Sequence, residues 1–447
     1  MSRGLSVSRR AASNQRPAVT RRRALVTGAA GLAAAALLAA CSASVTPAGE
    51  GAGTSPPPGP TATVPQEPAN AWGPGAADVA EATADAAELS DAELAGQLIV
   101  GRLHGTDPAT AEDLVTELHL AGVMVTGDSV ASLEQVRALS EGVHDAVAAD
   151  GRDWPGVVST DNEGGTVQRM SGRVGPWTTF PSFATAGRAA AAGETRLVRE
   201  AHEAMARELR ASGVTVNWAP VADVTVPDQD VTIGSRAAGE DPGTVGAAIV
   251  PAVQGLLGGG VLASVKHFPG HGSLTTDSHL ALPVHDGTAD EIARRELPPF
   301  AEAVEAGVPM VMVAHVDVRA WDPGVPASLS REAYRILRED LDFAGVTVTD
   351  SLGMGALAAV GDAGDVAVAA LGAGADLLLN PADNAVAHAG VVEALQDGTL
   401  DRERLEQSAG RVIAMMRYQA RLAEEAGPPG EVGDGARAAQ ALQHAGG

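Results

Sequence analysis

Val261-Leu262-Ala263-Ser264-Val265-Lys266 runs directly into His267-Phe268-Pro269-Gly270-His271-Gly272. The first half is apolar and β-branched almost throughout, as in a short parallel strand buried on both faces. The second half is polar and broken by Gly and Pro, so it is a loop. Seven further runs have the same character, at residues 97–103, 122–126, 156–160, 214–219, 309–314, 345–349 and 375–379. Helical patterns fill the gaps. Residues 131–148 carry Leu133, Val136, Leu139 and Val143 on one stripe, and 291–306 and 404–423 read likewise. Eight such units in about 340 residues predict a (β/α)8 barrel, with a doubly wound open sheet as the rival. Polar residues choose between them. Asp161-Asn162-Glu163, Asn217, Lys266-His267, His315, Asp350 and Asn380 each follow a strand. In a barrel they all converge on the C-terminal face, whereas an open sheet would scatter some of them.

The loop after the quoted strand is the densest in reactive groups. Three His, Asp277 and Lys266 fall within fourteen residues. Lys266 is the single lysine against 30 arginines. A compact ammonium kept in that background points to a place where the guanidinium fork does not fit. Asp277-Ser278-His279 has the spacing of a proton-transfer dyad, in which a carboxylate fixes the imidazole tautomer. Asp277 as a mere loop stabiliser is the plainer alternative. No HExxH spacing is present and the one cysteine is Cys41, so no metal is expected here. Asp350 ends an apolar strand, Val346-Thr347-Val348-Thr349, and precedes a glycine-loosened loop. It is a candidate nucleophile, or a helix N-cap. Asp161, Arg169 and Arg236 suit hydrogen bonding to hydroxyl groups, though surface salt bridging would also explain the arginines.

The N-terminus reads as an address. Arg21-Arg22-Arg23 opens onto an uncharged Ala/Leu run to Ala40, and Leu38-Ala39-Ala40-Cys41 fits a bacterial lipobox. The expectation is a lipoprotein signal peptide over 1–40, twin-arginine export, a lipidated Cys41 and a membrane contact made through that anchor only. Residues 41–84 read as a disordered Gly/Pro/Ser/Thr/Ala linker, 85–425 as one catalytic domain and 426–447 as a flexible tail. The formal charge is −25. Without residues 1–40 there are 24 basic against 56 acidic residues, a surface that repels nucleic acid. Nothing indicates an obligate dimer, so a monomer is expected.

Four strings carry a family resemblance. They are K-H-F-P-G-H-G-x4-D-S-H from Lys266, D-x-E-G-G-x-V-Q-R from Asp161, N-x-A-P-V-A-D-V from Asn217 and T-D-S-L-G-M-G from Thr349. Together the sequence resembles glycoside hydrolase family 3, in its NagZ-like β-N-acetylhexosaminidase branch, across roughly residues 90–420. The resemblance implies Asp350 as nucleophile, His279 as acid/base and Asp277 as its orienting partner. It implies sugar binding by Asp161, Arg169, Arg236, Lys266 and His267, and no cofactor. Asn162 and Thr166 depart from the common pattern, in which Gln and Arg stand there. The expected reaction is retaining hydrolysis of a terminal N-acetylglucosamine. Phosphorolysis is a close variant, and a non-catalytic glycan-binding lipoprotein is the reading from another class.

Overall fold

The computed structural model describes residues 72–171, 180–230 and 232–445. The signal peptide, Cys41 and most of the expected linker lie outside these residues. The described chain forms a closed barrel of eight parallel strands in chain order. They are β1 (Ile99–Arg102), β2 (Gly122–Val125), β3 (Val157–Thr160), β4 (Val216–Asn217), β5 (Leu262–Phe268), β6 (Met310–Val313), β7 (Val346–Ser351) and β8 (Leu377–Leu379). β1 closes the ring by pairing Ile99 with Leu378 and Val100 with Leu379. Each of the eight apolar runs of the sequence supplies one strand.

The ladder is irregular in two places that matter for chemistry. The β5–β6 register shifts between Val265 and Phe268, and the β7–β8 register between Val348 and Ser351. An irregular step of this kind re-aims a side chain. Lys266 and His267 lie within the first shift, and Thr349 and Asp350 within the second. Two small ladders decorate the mouth. One pairs Asn162–Gly164 with Val167–Gln168, and the other Val284–His285 with Asp317–Val318.

Helices cover the barrel because their apolar stripes match the outward faces of the strands. The helix Leu133–Ala149 starts where the Ser132 hydroxyl accepts from the Gln135 amide, and it buries Val136, Leu139, Val143 and Val147. The helix expected over 291–306 is two helices, Ala289–Arg295 and Pro298–Glu305. Pro298 and Pro299 offer no amide hydrogens, so the first helix cannot run through them, while Pro298 suits the first position of the second.

Both ends of the domain extend further than the sequence suggests. Trp72 is buried, and a helix Ala76–Ala87 packs along the helix Arg402–Glu425. Gly410 makes this close, since a Cβ there would lie 2.2 Å from the Thr83 hydroxyl. Asp85–Arg417 and Asp78–Arg421 ion pairs flank it. At the other end, Asp434–Ala445 is a helix that buries Ala439 and Leu442 against the helix Thr195–Arg210. The Glu208 carboxylate accepts from the Gly433 and Gly435 amides at its start, at 3.0 and 2.9 Å. The expected linker through residue 84 and the flexible tail 426–447 are therefore corrected for these stretches. Alanine-rich helices have strong intrinsic propensity and need few anchors, so their hydrophobic signal is weak. Among the described residues no helix is long and apolar enough to cross a membrane.

Candidate active site

The C-terminal ends of the strands enclose a cleft of about 480 Å³ lined by Arg102, Asp161, Arg169, His279, Asp350 and Asn380, among others. Asp350 reaches it from the irregular end of β7. Its Oδ1 accepts the Ser351 amide at 2.7 Å. Enclosure works to raise the carboxyl pKa, but the imidazoles of His267 and His315, the Ser351 amide and the Lys266 ammonium together bring it down to about 2. Asp350 is thus an anion throughout the neutral range.

His315 lies at the end of β6, fully buried. Its Nε2 is 3.0 Å from the Ser351 carbonyl and its Nδ1 2.7 Å from Ser328 Oγ. A carbonyl can only accept, so Nε2 carries the hydrogen and Nδ1 accepts from the hydroxyl. Burial lowers its pKa, while the Asp350 carboxylate and the Ser351 carbonyl act the other way. The backbone beside the nucleophile is therefore braced from within the barrel.

Behind Asp350 sits a buried charge cluster. Lys266 Nζ is 2.7 Å from Asp161 Oδ1 and 2.6 Å from Glu163 Oε1. Arg236 donates from Nε and Nη2 to the two oxygens of Glu163, each at 2.8 Å. The two cations divide the work by shape: the forked guanidinium takes one carboxylate side-on, and the compact ammonium fits between two carboxylates. Burial opposes the charge on Lys266, yet Asp161 and Glu163 overcome it and raise its pKa. Burial likewise opposes the Glu163 anion, but Lys266 and Arg236 hold it well below the usual carboxylate range. Asp223, also buried, accepts from His267 Nδ1 at 2.7 Å, from the His267 amide and from the His271 amide. This turns His267 Nε2 towards Arg236, 3.3 Å away.

The dyad forms on the loop after β5. Asp277 Oδ1 accepts both the His279 amide, at 2.9 Å, and His279 Nδ1, at 2.8 Å. Slight burial of Asp277 would raise its pKa, but these bonds to His279 lower it instead. Nε2 is then the free nitrogen of a side chain that is 63% exposed and lines the cleft.

Asp161, Arg169, His279 and Asp350 line one cleft, and Arg236, Lys266 and His267 form the cluster behind it, with Asp277 on His279. Cys41 lies outside the described residues. Sequence reading missed Glu163, Asp223 and Arg102 as site members. The first two stand inside the strings quoted above, and their burial was the missing information. Arg102 ends β1 with no motif around it. Its Nε donates to Asn380 Oδ1 at 3.2 Å, and Asn384 grips its backbone at both amide and carbonyl. Among the described residues no group of three or more His, Cys, Asp or Glu is disposed to hold a metal ion.

Known proteins share this fold and much of this sequence. The family description "Glycosyl hydrolase family 3 N terminal domain" matches residues 91–415. The chain is 32% identical over 393 residues to "Beta-hexosaminidase LpqI" of Mycobacterium tuberculosis, covering 86% of this chain and 95% of that one. It is similar to a solved glycoside hydrolase family 3 β-N-acetylglucosaminidase from Paenibacillus sp. str. FPU-7, with a TM-score of 0.73 and 32% identity over 80% of this chain and 69% of that one. The β-N-acetylhexosaminidase of Beutenbergia cavernae gives 0.67 at 31% identity, over 74% of this chain and 99% of that one. With the family description spanning most of its length, the chain belongs to glycosyl hydrolase family 3.

Proposed function

We propose that this protein is a retaining β-N-acetylhexosaminidase that releases terminal β-linked N-acetylglucosamine from cell-wall or related glycans. The observation that carries the reading is one cleft holding a carboxylate kept ionised, Asp350, and an exposed imidazole held by a carboxylate, His279 on Asp277. In the first step His279 gives the Nε2 proton to the leaving oxygen while Asp350 attacks the anomeric carbon from the opposite face. The bond from that carbon to the aglycone breaks as the bond to the Asp350 carboxylate forms. In the second step neutral His279 takes a proton from water, whose oxygen displaces Asp350 and restores the configuration. Asp161, Arg169, Arg236, Lys266 and His267 are assigned to the sugar. Lys266 and Arg236 act largely through the carboxylates they hold, Asp161 and Glu163. The relatives named hexosaminidases and N-acetylglucosaminidases support the sugar class.

The lipobox supports an exported enzyme anchored through a lipidated Cys41, acting as a monomer on glycans outside the membrane. Mutation of Cys41 to Ser should then release the protein from the membrane fraction.

The chemistry is tested by mass spectrometry after mixing with an activated fluoro N-acetylglucosamine-type glycoside. A one-sugar adduct on the peptide containing Asp350 is expected. No adduct and no turnover of aryl N-acetylglucosaminides would instead favour a non-catalytic glycan-binding protein.

A further inference from the structure

The loop that follows the candidate nucleophile also grips the loop that carries the candidate acid. Five residues after Asp350, the Gly355 amide donates to the His279 carbonyl at 3.2 Å, and the Ala356 amide donates to the Ser278 carbonyl at 3.1 Å. Gly355 opens the short 3-10 turn Gly355–Leu357. A Cβ on Gly355 would lie 2.7 Å from the His279 carbonyl oxygen and 3.0 Å from that of Leu280. Both are backbone atoms that cannot swing aside as a side chain would. The other flank of Ser278 is held by its hydroxyl, 3.0 Å from Nε2 of buried His271.

This grip matters because the dyad stands at the surface. The His279 side chain is 63% exposed, and Leu280 beside it is 80% exposed. Burial therefore cannot set where the imidazole stands. The backbone of Gly355 is also not in the left-handed region, so the absence of a side chain there serves the contact and not the turn. We propose that Gly355 is a positioning residue: its lack of a Cβ, with the Gly355 and Ala356 amides, holds His279 in register over Asp350. The proposal rests on the assignment of His279 as acid and Asp350 as nucleophile.

Gly355→Ala and Ala356→Pro test it, beside His279→Ala and the wild type. The second variant removes one amide donor without adding an atom at position 355. The probes are 2,4-dinitrophenyl and phenyl N-acetyl-β-glucosaminides, since a dinitrophenolate leaves without a proton and a phenolate does not. Labelling of Asp350 by an activated fluoro-sugar needs no acid either and reports an intact site. Expected in both variants is normal labelling, a fall in kcat/KM below ~3-fold on the dinitrophenyl substrate and a fall of at least ~30-fold on the phenyl one, matching the leaving-group pattern of His279→Ala. Equal losses on both substrates, or no loss on either, overturn the proposal. So does failure of both variants to label, because the contact would then hold the fold and not the acid. Absence of labelling and turnover in the wild type would sink the assignment of the site itself, a separate result.

Discussion

At Asp350 the environment decides the protonation state. A carboxyl enclosed by protein tends towards neutrality, yet His267, His315 and Lys266 reverse that tendency. With a pKa of about 2, it is ionised at every pH above ~4. Asp350 therefore sets no limb of the kcat/KM profile above that pH, and the alkaline limb, which reports loss of the acid's proton, should flatten in His279→Gln. A limb unchanged in that variant would count against the dyad. Replacing Asp350 by Ala should lower kcat/KM on aryl N-acetylglucosaminides by at least ~10⁴-fold. Glu163 is the residue whose weight the sequence concealed. Glu163→Gln leaves Lys266 and Arg236 undercompensated in a buried place, so a loss of about 3 kcal/mol in urea unfolding is expected. A variant as stable as the wild type would show that Asp161 alone suffices for Lys266. The lone lysine was legible as special from its isolation among arginines. Its two carboxylate partners were not, because pairing distances do not exist in a sequence.

At the scale of elements, each strand was legible because burial on both faces leaves a nearly unbroken apolar run. What the sequence concealed were the register shifts in β5 and β7, which arise from pairing between neighbours and leave no composition signal. The terminal helices were hidden for a different reason. Ala76–Ala87 and Asp434–Ala445 are held by small contacts, Gly410 against Thr83 in one and Glu208 capping the other. Leu442 is the main anchor of the second helix. Leu442→Ala should cost about 2–3 kcal/mol. Hydrogen exchange should show protection falling first in 434–445, and unaltered protection there would mean that Glu208 alone docks the helix.

Across the whole molecule, acidity and burial meet in a pH dependence. Glu163, Asp223 and Asp376 are buried carboxylates, each desolvated yet held as an anion by its partners. Asp376 accepts from Arg411 at 3.1 Å and Ser408 at 2.8 Å, and pairs with Arg338. Their folded pKa values lie below the unfolded values of about 4. The stability they contribute is fully present above that pH and is lost as pH falls through the lower folded values. Urea midpoints should thus hold between pH 5 and 7 and drop steadily towards pH 3. A midpoint independent of pH over that interval would refute the linkage.

The ring order of the strands has a consequence for how activity is regained after denaturation. Asp161 follows β3, Lys266 and His267 lie near the end of β5, His315 follows β6 and Asp350 lies near the end of β7, while Arg102 of β1 meets Asn380, just after β8, only where the first strand joins the last. Contacts between residues some 280 positions apart form late, since the intervening chain must first be ordered. Turnover should therefore be a clock for the last seam of the barrel. In a refolding experiment it would lag the return of helical circular dichroism and rise together with amide protection along β1 and β8.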